Sequence, residues 1–196
     1  RELIWKYVEK LHLFSHNGNF EFIKDELALP EDIKNKKLES LRGLPIFPAS
    51  RKISNPNSDS NIAEVSHEIA EQVKGSQGNF FLLVTSMRSA EKFFYTLKTD
   101  KKLFVQNMGG GLGKIAKMSE KTDGNNLFVG NEEMLNNLLR DGKNIKFLAI
   151  HRLPFSYPSD PIQMSRAKYY SNEFEDYSLP KCALRLQNIL DKFLGN

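Results

Sequence analysis

Four short apolar runs, each set off by turn residues and separated by stretches with helical spacing, constrain this chain more than any other feature. They are FFLLVTS (80–86), LFVQ (103–106), NNLFVG (125–130) and FLAI (147–150). Runs this short, rich in aromatic and branched residues, read as strands buried on both faces. The intervening segments MRSAEKFFYTLKT, LGKIAKMSEK and EEMLNNLLRDG place apolar residues at helical intervals. Alternating strands and helices of this kind predict a parallel sheet covered on both faces, with right-handed crossovers. Upstream, Ile62, Val65, Ile69 and Val73 predict a further helix, capped by Ser60 or Asn61 and ended by Gly75–Gly78. Earlier still, FEFIKDELALP reads as a helix with Phe20, Ile23 and Leu27 on one face, and residues 31–61 as irregular loop.

Composition narrows the function only a little. The chain has 196 residues, 40% hydrophobic and 27% charged, as expected for one globular domain with its own core. No apolar run reaches the roughly 20 residues that cross a bilayer, so no membrane partner and a cytoplasmic location are expected. The single cysteine, Cys182, lies on an apolar helix face and reads as core rather than as a nucleophile. A net charge of +4, from 28 basic and 24 acidic residues, permits a nucleic-acid partner without requiring one. No His, Cys and carboxylate cluster has metal-ligand spacing, and His16 and His67 read as polar surface residues. Arg1 stands where a Met would open a chain, so the sequence reads as a piece of a longer one.

The glycine-rich NMGGGLGKIAK invites a phosphate-loop reading that its spacing does not support. The motif G-x-x-x-x-G-K-[ST] uses backbone amides to wrap a phosphate and a hydroxyl to hold magnesium. Counting back from Gly113-Lys114, Met108 occupies the first glycine position, and Ile115 stands where the hydroxyl is required. A flexible loop before a basic helix is the better account, with Lys114 and Lys117 able to reach a phosphate backbone.

Residues 146–186 carry the most specific pattern. A strand breaks at Leu153-Pro154, Pro158 and Pro161 stiffen the exit, and Asp160-Pro161 reads as a helix start with Asp160 as cap. Ile162, Ala167, Tyr169 and Tyr170 give that helix an imperfect apolar face. A second helix, after Ser178-Leu179-Pro180, carries Ala183, Leu184, Leu186, Ile189, Leu190 and Phe193. The string LPFSYPSDP, then Arg166, then FEDYSLPKCALRLQ resembles the second motor domain of superfamily-two helicases of the DinG and XPD type. The resemblance runs over roughly residues 10–194, most closely at 146–187.

The resemblance implies a RecA-like three-layer α/β/α sandwich with a mainly parallel sheet, a P-loop NTPase-like fold lacking its own P-loop. One domain would span 1–196, with 1–17 the remnant of a preceding segment. FFLLVTS-M is similar to the family's strand and Thr-Ser motif, and Gln106-Asn107 to its Gln-Gly at a position that faces nucleic acid. Thr85, Ser86, Arg88, Gln106 and Lys114 are therefore the expected phosphate contacts. Hydroxyls and free amides at a helix start suit a phosphate; the plain alternative is that Ser86 only caps its helix.

The catalytic motifs have eroded. GNFEFIKDELAL and PIFPAS are similar to upstream segments of the resembled family, but of its Ser-Ala-Thr motif only Ser15 remains, followed by His16. Where the family has "G..SFWEGVDVPG", Gly130 and Gly142 remain while Asn136, Asn137 and Leu139 replace its Glu, Gly and Asp. EEMLNNLLRDG instead offers Met134, Leu135, Leu138 and Leu139 for packing. In the final motif Asn188 replaces Gln, Ile189 and Asp191 replace glycines, Lys192 the first arginine and Gly195 the second. An arginine finger needs a rigid charged fork, which Lys192 and Gly195 cannot supply. The expectation is a nucleic-acid-binding or docking module of a DNA repair or replication protein, without catalytic residues or cofactor of its own. ATP and Mg would enter only through an upstream motor domain. Partners would be single-stranded DNA or another nucleic acid, and an upstream helicase domain or a protein. Two other readings remain open: half of an active ATP-dependent helicase with Lys192 as a weaker finger, and a structural interaction domain exposing apolar helix faces.

Overall fold

The structure, a computed structural model, describes residues 22, 24, 25, 49, 52–58 and 60–195. The expectations for His16, the Phe20–Ile23–Leu27 face, residues 1–17 and most of PIFPAS fall outside these residues. The described chain contains six α-helices and four strands. It divides into two compact units, Pro45–Leu153 with Lys192–Asn196, and Arg1–Leu44 with Pro154–Asp191. Each is described by itself.

The first unit is a four-stranded, all-parallel sheet: β1 (Asn79–Leu83), β2 (Lys102–Val105), β3 (Asn126–Gly130) and β4 (Ile145–Ile150). The spatial order is β2-β3-β1-β4. Its helices are α1 (Asn61–Val73), α2 (Met87–Thr96), α3 (Leu112–Glu120) and α4 (Glu132–Arg140). The parallel register sets Phe80 beside Leu127 and Phe147, and Leu82 beside Val129 and Ala149, so these side chains share one face. Val73 of α1, Ala90 and Phe93 of α2, and Leu97 just after it cover that face in one apolar cluster. On the other face Phe104 stacks on Phe128, with ring centroids 5.4 Å apart, and Met134 of α4 lies against Gly130. Helices on both faces of a parallel sheet follow from the strand sequences, which are apolar at consecutive positions and so leave neither face fit for water.

Two local expectations need correction. FLAI is a strand but not a fully buried one: among the described residues β4 pairs only with β1, and Phe147 is 49% exposed while its ring stacks on Phe80. An edge position leaves one side of the strand without a covering neighbour. The start of α1 is also built differently. The Ser60 side chain makes no capping bond, and the side chain of Asn61 is buried and donates to the Ser54 carbonyl at 2.9 Å. Glu64 receives the Ser54 amide, and this bond first, then the hydroxyls of Ser54 and Ser60, holds its carboxyl below the usual range.

In the second unit, α5 (Pro161–Ala167) starts as anticipated, with Asp160 Oδ1 accepting from the Ile162 and Gln163 amides at 2.9 and 3.3 Å. Its apolar face differs: Ala167 is buried, but Ile162 and Tyr169 are exposed. Gln163 turns inward instead and accepts from the Tyr177 hydroxyl at 2.9 Å. A π-helical turn, Glu173–Ser178, opens on an Asn172 cap and runs into α6 (Leu179–Leu194). Tyr177, on this turn, is the centre of a small core with Phe22, Ala167, Tyr170 and Leu184. Cys182 is buried and its thiol is pushed up by that burial, the opposite of an activated nucleophile.

Candidate nucleic-acid interface

The chain leaves β1 towards β2 over one face of the sheet, by way of α2. It leaves β3 towards β4 over the other face, by way of α4. Because β1 and β3 are neighbours, their carboxyl ends form the crevice where connections part to opposite faces. Ligands of open α/β sheets occupy such crevices. The helix starts that flank it are Thr85-Ser86-Met87 and Asn131-Glu132.

At the first, Thr85, Ser86 and Arg88 are all exposed. Ser86 Oγ accepts from the Ser89 amide at 3.1 Å and lies 2.8 Å from the Ser89 hydroxyl. Ser86 is therefore a helix cap, as the plain reading of its sequence allows. The cap satisfies one of the four amides that any helix start leaves without an intrahelical acceptor, and those of Met87 and Arg88 are among the others. Ser86 as a cap and an anion at the same helix end are compatible. The second helix start is unlike the first. Asn131 caps it by accepting from Met134 N at 3.1 Å, but Glu132 and Glu133 occupy the first turn and disfavour an anion.

The other expected contacts are placed differently from this cluster. Gln106 is 6% exposed, and its Oε1 accepts from the Asn131 amide at 2.8 Å. Its side chain ties the end of β2 to the start of α4, which an aligned Gln-Gly pair does not reveal. Asn107, which follows, adopts φ 67°, in the left-handed region. Lys114 is exposed on α3, a helix that packs beside α4, and its methylenes lie over Gly110, where an added Cβ would sit 2.6 Å away. Thr85, Ser86 and Arg88 are thus together at one helix start, whereas Gln106 is turned into the joint at the other and Lys114 lies on α3.

Of the nucleotide-site remnants, Lys192 Nζ lies 3.5 Å from Glu132 Oε1. Asn188 is half-buried and Gly195 exposed. Met134, Leu135 and Leu138 of α4 are buried, and so, in the second unit, is Ile189 of α6. After Arg140 the chain closes α4 with a Gly142 turn at φ 73°, in which Gly142 N bonds Leu139 O and Lys143 N bonds Leu138 O.

Three residues with structural consequence were not singled out from the sequence. His151, just past β4, sets its ring edge against Phe93 and its Nε2 2.8 Å from Asn61 Oδ1. Burial, then the neighbouring Arg152, lower its pKa to about 4, so it is neutral at pH 7. Arg152 reaches the Pro56 carbonyl and the Asn57 side chain, fixing the turn that precedes α1. Lys101 is 5% exposed at the opposite, amino end of the sheet. Its ammonium bonds the Ser76 carbonyl at 2.7 Å and Asn125 Oδ1, and stands 4.5 Å from the Phe80 ring centre. Burial lowers its pKa, against the raising effect of Asp100 and Asp123. These contacts join residues far apart in sequence, and no local pattern announces them.

Among the described residues no group of three or more His, Cys, Asp or Glu is placed to hold a metal ion. No helix among them is long and apolar enough to cross a membrane. The chain matches no family model, no curated protein and no solved structure.

Proposed function

We propose that this chain is a RecA-like module of the helicase second-motor type. It binds nucleic acid at the carboxyl end of its sheet and has given up its part in ATP hydrolysis, within a larger DNA-processing protein. The observation that carries this reading is the exposed Thr85-Ser86-Arg88 cluster at the start of α2, in the crevice where the connections of β1 and β3 diverge.

Two further features support it. Asn107 takes a left-handed φ of 67° at the position where the resembled helicases have glycine after Gln106. Asparagine is among the few residues that tolerate the conformation glycine adopts freely, so the substitution keeps the backbone path. Lys192, at the first finger position, is paired with Glu132 rather than held free for a phosphate. An exposed pair of this kind is worth less than about 1 kcal/mol, so it is no barrier to binding elsewhere. The end of α6 is thereby used within the fold.

The test is fluorescence anisotropy with a labelled oligonucleotide over a salt series. Affinity should fall steeply as salt rises, because bound phosphates release counterions, and Arg88→Ala should reduce the logarithmic salt slope by about 1. Absent binding at low salt, or binding indifferent to both salt and Arg88→Ala, would remove the nucleic-acid reading.

A further inference from the structure

Resting on that reading, we propose that the occupant is a single strand, and that the outward face of α2 is its track, with Tyr95 as a stacking surface for an unpaired base. The helix buries Ala90 and Phe93 against the sheet, with Leu97 just after it. Helical spacing then sets Arg88, Lys92 and Tyr95 on the side turned away from it, over about 10 Å of axis. All three are exposed, and Tyr95 is 71% so. Phe94, 39% exposed, meets the Tyr95 ring edge-on with centroids 5.2 Å apart, fixing the ring without covering it. Glu91 borders this face, and Lys98 follows the helix, so cations outnumber acids along it.

Charge favours this face over the stacked aromatic pair of the second unit. Phe155 and Phe174 stack at 5.8 Å in the second unit, but Glu173, Glu175 and Asp176 surround Phe174 and would repel phosphate. On α2 the aromatic follows cations that lead back to the Ser86 helix start. A duplex keeps its bases stacked inside and has no use for an exposed ring, whereas an unstacked base gains from one. The combination of Arg88, Lys92 and a bare Tyr95 therefore fits a single strand better than a double one.

The experiment compares three labelled ligands of equal length: a thymidine strand, a strand with abasic sites, and a duplex. The wild type should bind the thymidine strand most tightly. Tyr95→Ala should weaken that complex by about fivefold to a hundredfold, leave the abasic complex unchanged, and be rescued by Tyr95→Phe. Arg88→Ala should weaken binding to all three. If Tyr95→Ala leaves the thymidine strand unaffected while Arg88→Ala weakens it, the stacking track is wrong and the nucleic-acid reading stands. A duplex bound as tightly as the thymidine strand would also overturn the track. If no ligand binds at low salt, the broader reading fails first, and the track with it.

Discussion

The two ends of the sheet treat their cations in opposite ways. At the amino end, Lys101 is buried, spends its ammonium on Ser76 and Asn125, and lies over Phe80. Around it Asn126 donates to Asn79, and Asn79 to the Asn144 carbonyl, so neighbouring strand starts are laced together. At the carboxyl end Arg88 is exposed beside Thr85 at the start of α2. The amino end has drawn most of its polar groups into structure, although Asn126 Oδ1 stays buried without a hydrogen-bond partner, while Thr85 and Arg88 at the carboxyl end stay in water. A buried polar group must find partners inside the protein, since leaving it unpaired costs more than its bond returns. An exposed one carries no such debt, and so remains open to a ligand.

The largest expected effect is at the amino end. Lys101→Ala should lower stability by about 1–3 kcal/mol, because it removes charge-assisted hydrogen bonds to the Ser76 carbonyl and the Asn125 side chain, both half-buried. Urea unfolding would show it, with nucleic-acid affinity of the folded variant unchanged. A stability loss no larger than that of an exposed lysine variant would erase the contrast between the two ends. Next, Asn107→Val should cost about 1–2 kcal/mol, since a branched side chain is strained at positive φ. Asn107→Gly should be close to neutral, and equal losses for both variants would show that strain is not the cause.

His151 gives a pH-dependent effect. Its folded pKa of about 4 lies below its ordinary 6.5, so the unfolded chain takes up the proton first. Its contribution is fully present above pH 6.5, declines as pH falls through the window down to 4, and is lost below it. The unfolding midpoint measured from pH 7 to 4 should flatten in His151→Asn relative to the wild type. An unchanged slope would place the acid sensitivity elsewhere. The smallest effect belongs to the carboxyl end: Arg88→Ala should change stability by no more than about 0.5 kcal/mol, while still reducing the salt dependence of binding. A large destabilisation would mean that Arg88 is structural after all, and the two ends alike.

What could be read directly was local. The four strands, the helices between them, the Asp160-Pro161 start and the packing face of EEMLNNLLRDG each depend on residues a few positions apart, and each lies where its pattern places it. Ser86 was legible both as a cap and as a phosphate contact, and the capping bond is present. Gln106 shows the limit. The resemblance set it facing nucleic acid, yet 25 residues later in the chain Asn131 offers an amide that draws its side chain in.

By itself, the sequence determined which segments are strands and helices, because periodicity, caps and turn residues act within a few positions. It also determined that the sheet must be parallel and covered, because its strands are apolar at consecutive positions. Tertiary structure alone decided that β4 lies at an edge among the described residues, that Lys101 goes inside and His151 is half-buried, and that Gln106 closes a joint while Arg88 stays in water. The reason is physical: burial and hydrogen-bond satisfaction depend on neighbours brought together only when the chain has folded.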